Sequence, residues 1–204
     1  MLSKDLTYFN QLNLIDSCAV WNLLSTTRLY NASKEAKIHF ILTSFILYEC
    51  LYKPRKNENL KDNELKRRLI QERERGHFKD VNMISIEDLQ QLDIIENRKR
   101  LSKGELTAIA CALRLNNAGF VTDDRGARNM AVQVLDDNQI RTTPNLLGWL
   151  FYNNFLQDSD YNTIIDEHKQ FIKSAKDDLS IFLEIMYKWA KGQQLSDKIN
   201  VEAT

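Results

Sequence analysis

Five carboxylates stand where an apolar run of this sequence stops or where a helix begins, and their positions are the strongest chemical signal in the chain. Asp16, Asp123 and Asp124 follow short apolar runs, Glu49 lies within one, and Glu105 opens a helix-like segment. A carboxylate beside apolar residues costs free energy unless it is paired, hydrogen-bonded or bound to a cation. The 3 His and 3 Cys form no compact cluster that would suit a softer metal. Oxygen-only ligation therefore predicts a Mg²⁺ or Mn²⁺ site.

Each acid taken alone also has an ordinary structural explanation. Ser102 and Glu105 match a capping box, in which the glutamate at the third helical position bonds back to the N-cap amide. Asp16 suits a helix N-cap, Glu49 suits the polar edge of an amphipathic helix, and the aspartate pair suits a strand-to-turn sequence. Position alone leaves both interpretations open.

The elements that must position these acids alternate between strand-like and helix-like patterns. Strand-like runs cover residues 12–15, 37–42, 81–86 and 120–122. Helix-like segments cover residues 18–24, 45–52, 63–75, 87–97 and 102–116, with Gly119 just beyond the end of the fifth. Another helix opens at Thr143 and Pro144. This alternation predicts an α/β fold with three layers, α/β/α, around a central parallel sheet. Ligands of such sheets bind at the carboxyl ends of strands, where Asp16 and Asp123 are expected.

Length and composition predict one main domain with an appendage. The chain has 204 residues, of which 43% are hydrophobic, enough for one sizeable core. We expect a domain at residues 1–157 and a helical C-terminal extension at 158–204. The cysteines lie in apolar segments without metal-site or disulfide spacing, which indicates a reduced compartment. No leader-like segment opens the sequence and no apolar run is long enough to span a bilayer, so we expect a cytoplasmic protein without a membrane partner.

The formal net charge is zero, which argues against a broad basic surface. Contact with nucleic acid must then be local. Residues 53–75 hold nine Lys or Arg against five acids, and a second basic cluster at 98–103 leads into Glu105. Either stretch fits a phosphate-binding surface, and either also fits a solvated helix face with internal ion pairs.

The C-terminal extension carries a heptad-like apolar stripe. Its members step alternately by four and three residues: Tyr161, Ile165, His168, Ile172, Ala175, Leu179, Phe182, Met186 and Trp189. The stripe fits one long helix or two helices with a break at Asp177 and Asp178. It also fits two roles, because it can cover the chain's own α/β core or form an interface with a second copy or a partner protein.

In combination, these motifs resemble the PIN-domain nuclease family. The likeness rests on an apolar strand ending in Asp16, on Glu49 in the helix after the second strand, on Gly-Glu at 104–105 followed by Thr-Ala-Ile-Ala-Cys-Ala, and on Thr-Asp-Asp-Arg at 122–125. It covers roughly residues 10 to 155. Many family members carry Asp where this chain has Glu105, and the heptad-like tail is not part of the family pattern.

The resemblance implies an acidic pocket that binds one or two divalent ions and hydrolyses RNA phosphodiester bonds, often as the toxin of a toxin–antitoxin pair. It assigns metal binding and catalysis to Asp16, Glu49, Glu105 and one or both of Asp123 and Asp124. Thr122 or Ser17 would position water or a ligand, and Arg125 and Arg128 would contact the scissile phosphate or pair with the acids. The expected partners are RNA, an antitoxin or other protein, and a second copy of the chain.

Two rival functions are weighed against this one. A phosphohydrolase of the haloacid dehalogenase kind also ends its first strand in Asp, but it needs a second Asp two residues later, where this chain has Cys18. The other rival is a catalytically inactive, PIN-like protein-binding module that acts through its C-terminal stripe.

Overall fold

A parallel sheet of five strands forms the centre of the described chain. The structure is a computed structural model, and it describes residues 5–54, 58–81, 85–94, 100–172, 174–175 and 178–202. The strands are β1 (Leu12–Ile15), β2 (His39–Thr43), β3 (Phe78–Val81), β4 (Gly119–Val121) and β5 (Ile140–Arg141). Their order in the sheet is β3-β2-β1-β4-β5, and every neighbouring pair is parallel.

Helices connect and cover these strands. They are α1 (Ser17–Ser25), α2 (Thr27–Glu35), α3 (Ser44–Leu51), α4 (Leu60–Glu74), α5 (Ile86–Gln90), α6 (Lys103–Leu115), α7 (Arg125–Ala131), α8 (Thr143–Tyr152), α9 (Asp158–Phe171) and α10 (Ser180–Glu202), with a short 3₁₀ turn at Gln91–Ile94. In the described part of the chain, none of these helices combines the length and apolar character that a bilayer crossing requires.

The sheet separates two hydrophobic cores. Alternate residues of a strand point to opposite faces, so Ile15 and Val121 join one buried cluster while Leu14 and Phe120 join the other. The first core is completed by α1, α2, α3, α4, α8, α9 and α10, and the second by α5, α6 and α7. The predicted three-layer α/β/α architecture with C-terminal helices is confirmed.

The strand order fixes where a ligand site can form. The chain builds outward from β1 to β2 and β3 on one side, and then returns to add β4 and β5 on the other. Between β1 and β4 the direction of this progression reverses, and in parallel α/β sheets ligands bind at such a reversal point, beside the carboxyl ends of the two strands. The backbone N–H of Asp16 donates to the carbonyl of Val121 at 3.1 Å, so the residues that follow both strands are neighbours.

One sequence prediction of local structure is wrong. The third strand is Phe78–Val81, earlier than the predicted 81–86. Ser85 instead caps α5 in a capping box with Asp88, so Ile86 begins a helix, while residues 82–84 lie outside the described residues. The predicted helix at residues 102–116 is confirmed, because Ser102 and Asn116 are the caps of α6, and Gly119 beyond its end is the first residue of β4.

The C-terminal stripe belongs to two helices. The helix α9 ends at Phe171 and α10 begins at Ser180, while part of the linker, including Asp177, lies outside the described residues. Ile165 and Met186 are buried in the first core, where α10 packs chiefly on α8. Phe182 is 46% exposed. The stripe therefore covers the chain's own core in part, and the boundary at 157/158 and self-association remain predictions.

Candidate functional site

Asp16 lies at the reversal point of the sheet, directly after β1. Its side chain is 2% exposed and caps α1, since Oδ1 accepts the N–H of Ala19 at 2.9 Å. The Thr122 hydroxyl donates to Oδ2, and the Cys18 thiol lies 3.0 Å from Oδ1. Burial raises the pKa of Asp16 to about 7, the charge of Asp123 adds to this rise, and the three hydrogen bonds oppose it. Asp16 is thus the N-cap of α1, as one interpretation of the sequence predicted, and it is at the same time a buried carboxylate.

Asp123 follows β4 and is held by three neutral donors. The Asn22 amide donates to Oδ2 at 2.8 Å, and Thr143 donates from its backbone N–H to Oδ1 and from its hydroxyl to Oδ2. Asn22 comes from α1 and Thr143 from the first turn of α8. These contacts fix the orientation of the Asp123 carboxylate, and none of the donors is a charged group.

Asp124 has a different environment from its neighbour. It is exposed and caps α7, since its Oδ1 accepts the N–H of Ala127 at 2.7 Å. Its own backbone N–H donates to the Thr122 hydroxyl oxygen at 3.1 Å. The same threonine therefore links Asp16 and Asp124 and fixes the turn after β4.

Glu49 projects from α3 toward the same edge of the sheet. The Ser17 hydroxyl donates to its Oε2 at 3.2 Å, which joins the glutamate to the residue after Asp16. Gly104 is required beside it, because a Cβ on that glycine would lie only 2.9 Å from the same oxygen. The absence of a side chain at 104 thus makes room for Glu49 next to the start of α6.

Glu105 forms the predicted capping box and also faces the acidic group. Its Oε2 accepts the N–H of Ser102 at 2.7 Å, and its own N–H donates to the Ser102 hydroxyl oxygen at 3.1 Å. Burial raises the pKa of Glu105, and the charges of Asp124 and Glu49 contribute to the rise. Capping occupies one carboxylate oxygen, so the two interpretations of this residue are compatible.

The five predicted acids thus share one edge of the sheet. Asp16 and Asp123 influence each other electrostatically, as do Glu105, Asp124 and Glu49. Within the described ranges, none of the five forms an ion pair with a Lys, Arg or His side chain. Over the same ranges, no three His, Cys, Asp or Glu side chains stand close enough to form a ready-made metal site.

A cavity beside Asp123 brings two arginines near the acids. It measures about 470 Å³, and its lining includes Arg125, Arg128 and Phe182. Arg128 donates from Nη1 to the carbonyl of Thr122 at 3.1 Å, while its Nε is buried without a hydrogen-bond partner. Cationic side chains and the first turn of α10 therefore border the acidic group on this side.

Five cations of the basic stretch at residues 53–75 form ion pairs with nearby acids. Lys66 pairs with Glu58 at 2.7 Å, and Arg67 and Arg68 both pair with Glu64. Farther along, Arg73 pairs with Asp80 and Arg75 with Glu72. These five cations are therefore engaged in ion pairs, and residues 55–57 lie outside the described part of the chain.

Sequence reasoning did not identify Asn22 and Thr143 as parts of this site. Asn22 lies four residues after Cys18, so both project from the same face of α1, and this spacing is a signal that Asn22 lies on the Asp16 side. Thr143 follows its own N-cap, Thr142, and nothing in the sequence near position 143 indicates a contact with a residue 20 positions earlier.

Comparisons with known proteins give no match to a family model, a curated protein or a solved structure. The resemblance to the PIN-domain family therefore remains a prediction from the motifs.

Proposed function

We propose that this chain is a metal-dependent endoribonuclease, which hydrolyses RNA phosphodiester bonds at the acidic edge between β1 and β4. The observation that carries the proposal is the gathering of Asp16, Glu49, Glu105, Asp123 and Asp124 from separate elements, without an ion-pair partner among the described residues. Like charges raise one another's pKa and destabilise a fold unless a cation offsets them.

The donor set fits Mg²⁺ or Mn²⁺ better than it fits a softer ion. Five carboxylates supply hard oxygen atoms, which these cations prefer over imidazole or thiolate ligands. Cys18 is the cysteine nearest to the acids, and burial raises its thiol pKa, so its sulfur stays protonated.

Each acid has a separate task in the proposed reaction. Asp16 and Asp123 would hold the cation at the base of the crevice, and Glu49 and Glu105 would complete the oxygen shell from the α3 and α6 side, with Asp124 nearest to solvent. When bound, Mg²⁺ or Mn²⁺ supplies a Lewis acid that activates water and offsets charge on the attacked phosphate. Thr122 holds Asp16 and Asp124 in position through hydrogen bonds, and the Ser17 hydroxyl holds Glu49 in position in the same way.

Arg125 and Arg128 would bind the phosphate of the substrate. Both line the cavity that reaches Asp123, and neither is paired with a carboxylate in the described chain. A guanidinium binds phosphate oxygens through paired N–H groups and stabilises charge that develops on them. This favours the phosphate role over pairing with the acids.

A cleavage assay on total RNA tests the proposal. Full-length protein is incubated with Mg²⁺, with Mn²⁺ or with EDTA, beside the Asp16→Asn variant. We expect cleavage with either metal, none with EDTA and none by the variant. Equal cleavage by Asp16→Asn, or cleavage in EDTA, would contradict the assigned site.

A protein-binding function is the second candidate, and the exposed side of α10 favours it. Ile181 is 68% exposed and Ile185 is 50% exposed, one helical turn apart. This surface would receive an antitoxin or a second copy of the chain.

A rise in melting temperature on adding Mg²⁺ or Mn²⁺ discriminates the two candidate functions, because only a chain that binds metal in its folded state gains stability from it.

A further inference from the structure

A groove runs along the outer side of α3, next to the acidic edge. It has a volume of about 780 Å³, and its lining includes Phe45, Tyr48, Glu49, Lys53, Ser102 and Lys103. Glu49 is one of the candidate metal ligands, and Ser102 donates to another, Glu105. The groove therefore opens directly onto the proposed site.

Two aromatic rings form the apolar part of this groove. Phe45 is 42% exposed and Tyr48 is 50% exposed, although Ile46 on the opposite face of the same helix is fully buried. The two rings lie three residues apart, so they are neighbours on the helix surface. Accessible aromatic faces of this kind are stacking surfaces for nucleobases.

Two lysines border the rings. Lys53 and Lys103 are exposed, and neither forms an ion pair with a carboxylate in the described ranges. The ammonium of Lys103 lies 5.8 Å from the centre of the Phe45 ring. In contrast to Lys66, Arg67 and Arg68 on α4, these cations are available to a phosphate.

We propose that the groove is a subsite for an unpaired segment of RNA, with bases stacked on Phe45 and Tyr48 and phosphates held by Lys53 and Lys103. The inference rests on the proposed function and specifies its substrate as single-stranded next to the bond that is cut. A duplex keeps its base faces stacked on each other, so it cannot use the two rings. The unpaired lysines beside the rings favour a polyanion over an apolar protein segment.

Binding of RNA in EDTA tests the subsite separately from catalysis. A short, unstructured, fluorescently labelled RNA is titrated with full-length protein, and its anisotropy gives the affinity. We expect Phe45→Leu and Tyr48→Leu each to weaken binding by roughly 5- to 150-fold, since stacking is lost while apolar bulk is kept. Tyr48→Phe should bind as tightly as the wild type. A matched duplex should bind more weakly and be unaffected by either leucine variant.

Matched controls come from the same chain. Tyr52 is 67% exposed just beyond α3 but is not part of the groove lining, so Tyr52→Leu should leave binding unchanged. Replacing both Lys53 and Lys103 by Ala should reduce the salt dependence by a slope of about 1.4, whereas Lys198→Ala on α10 should not change it. All these side chains are well exposed, and thermal melts will verify that the variants remain folded.

The outcomes separate this inference from the proposed function. If the wild type cleaves RNA with Mg²⁺ but the leucine variants bind RNA as tightly as it does, the subsite is wrong and the nuclease assignment stands. If the leucine variants keep RNA binding but lose binding of a partner protein, the groove is a protein-docking surface and the inference is overturned. If the leucine variants lose RNA binding while no metal supports cleavage, the subsite stands and the nuclease assignment fails.

Discussion

Thr143 donates two hydrogen bonds to the Asp123 carboxylate, from its backbone N–H to Oδ1 at 2.9 Å and from its hydroxyl to Oδ2 at 2.6 Å. The first residue of α8 thereby sets the orientation of an acid that follows β4. Because α8 packs against α10, the C-terminal helix supports the site indirectly through this contact.

The first prediction removes one of these two bonds. Thr143→Val keeps the shape of a buried side chain and the backbone N–H bond to Asp123, but its side chain cannot donate to Oδ2. We expect kcat to fall by about 10- to 100-fold, since a hydrogen bond to a charged group contributes roughly 1.5 to 3 kcal/mol. Steady-state kinetics with Mg²⁺ measures the effect. Thr143→Ser retains both donors and should restore activity, and failure of this rescue would assign the threonine a packing role only.

The second prediction concerns Asp16. Asn is as good an N-cap as Asp, so Asp16→Asn should keep the cap on Ala19 while it removes a buried charge. Activity should be abolished, and the melting temperature of the metal-free protein at pH 8 should rise. A variant that melts lower than the wild type in EDTA would show that the charge does not destabilise the fold.

The third prediction is the pH dependence of stability without metal. The pKa of Asp16 is about 7 in the folded chain, against an ordinary value of 3.8. Between these values the folded state holds a proton on Asp16 that the unfolded state has lost, so the contribution of Asp16 to the unfolding free energy falls as pH rises from about 4 to about 7. The loss is on the order of 4 kcal/mol at most.

Urea titrations in EDTA across this pH range, on the wild type and Asp16→Asn, isolate the contribution. The difference between the two proteins should grow toward pH 7 and then stay constant. A difference that does not vary with pH would contradict the raised pKa.

The fourth prediction separates the two roles of Glu105. Glu105→Gln preserves a side chain that can accept the Ser102 N–H, so the melting temperature should change by no more than about 4 °C. Cleavage should nevertheless fall by orders of magnitude, because a charged ligand is lost. Glu105→Ala removes both roles and serves as the comparison. Full activity in the Gln variant would reduce this residue to a helix cap.

The sequence predicted structural features that depend on neighbouring residues better than features that depend on residues far apart in the chain. Short-range patterns located β1, α1, α3 and α6, because a buried apolar run or a cap is defined within a few residues. The alternation at residues 81–86 predicted a strand, but the capping box of Ser85 and Asp88 outweighs it and starts a helix there.

Long-range features were not predictable in the same way. The strand β5 has only two residues, Ile140 and Arg141, too few for any periodicity. The five acids were predicted because charge beside apolar residues is unusual. Asn22 and Thr143 were not, because neutral donors are common everywhere and their contact with Asp123 exists only after the sheet has formed.

The fifth prediction concerns the C-terminal helix. Met186 is 2% exposed and belongs to the core beneath α8, so Met186→Ala should destabilise the protein by about 2 to 5 kcal/mol. On the opposite side of the helix, Ile181→Ala should change stability by less than about 0.5 kcal/mol. Denaturant unfolding measures both. Equal stability of the two variants would mean that α10 does not cover this core.

The hydrogen bond from Thr122 to Asp16 joins residues that are 106 positions apart in the chain. During synthesis, β1 and the basic α4 leave the ribosome well before β4 exists, and non-local pairing of parallel strands is slow to form. A nascent or truncated chain that ends before β4 carries Asp16 and Glu49 but has no crevice to hold them together. The acidic edge that would carry the proposed activity can therefore assemble only after the last strands and α8 have been made.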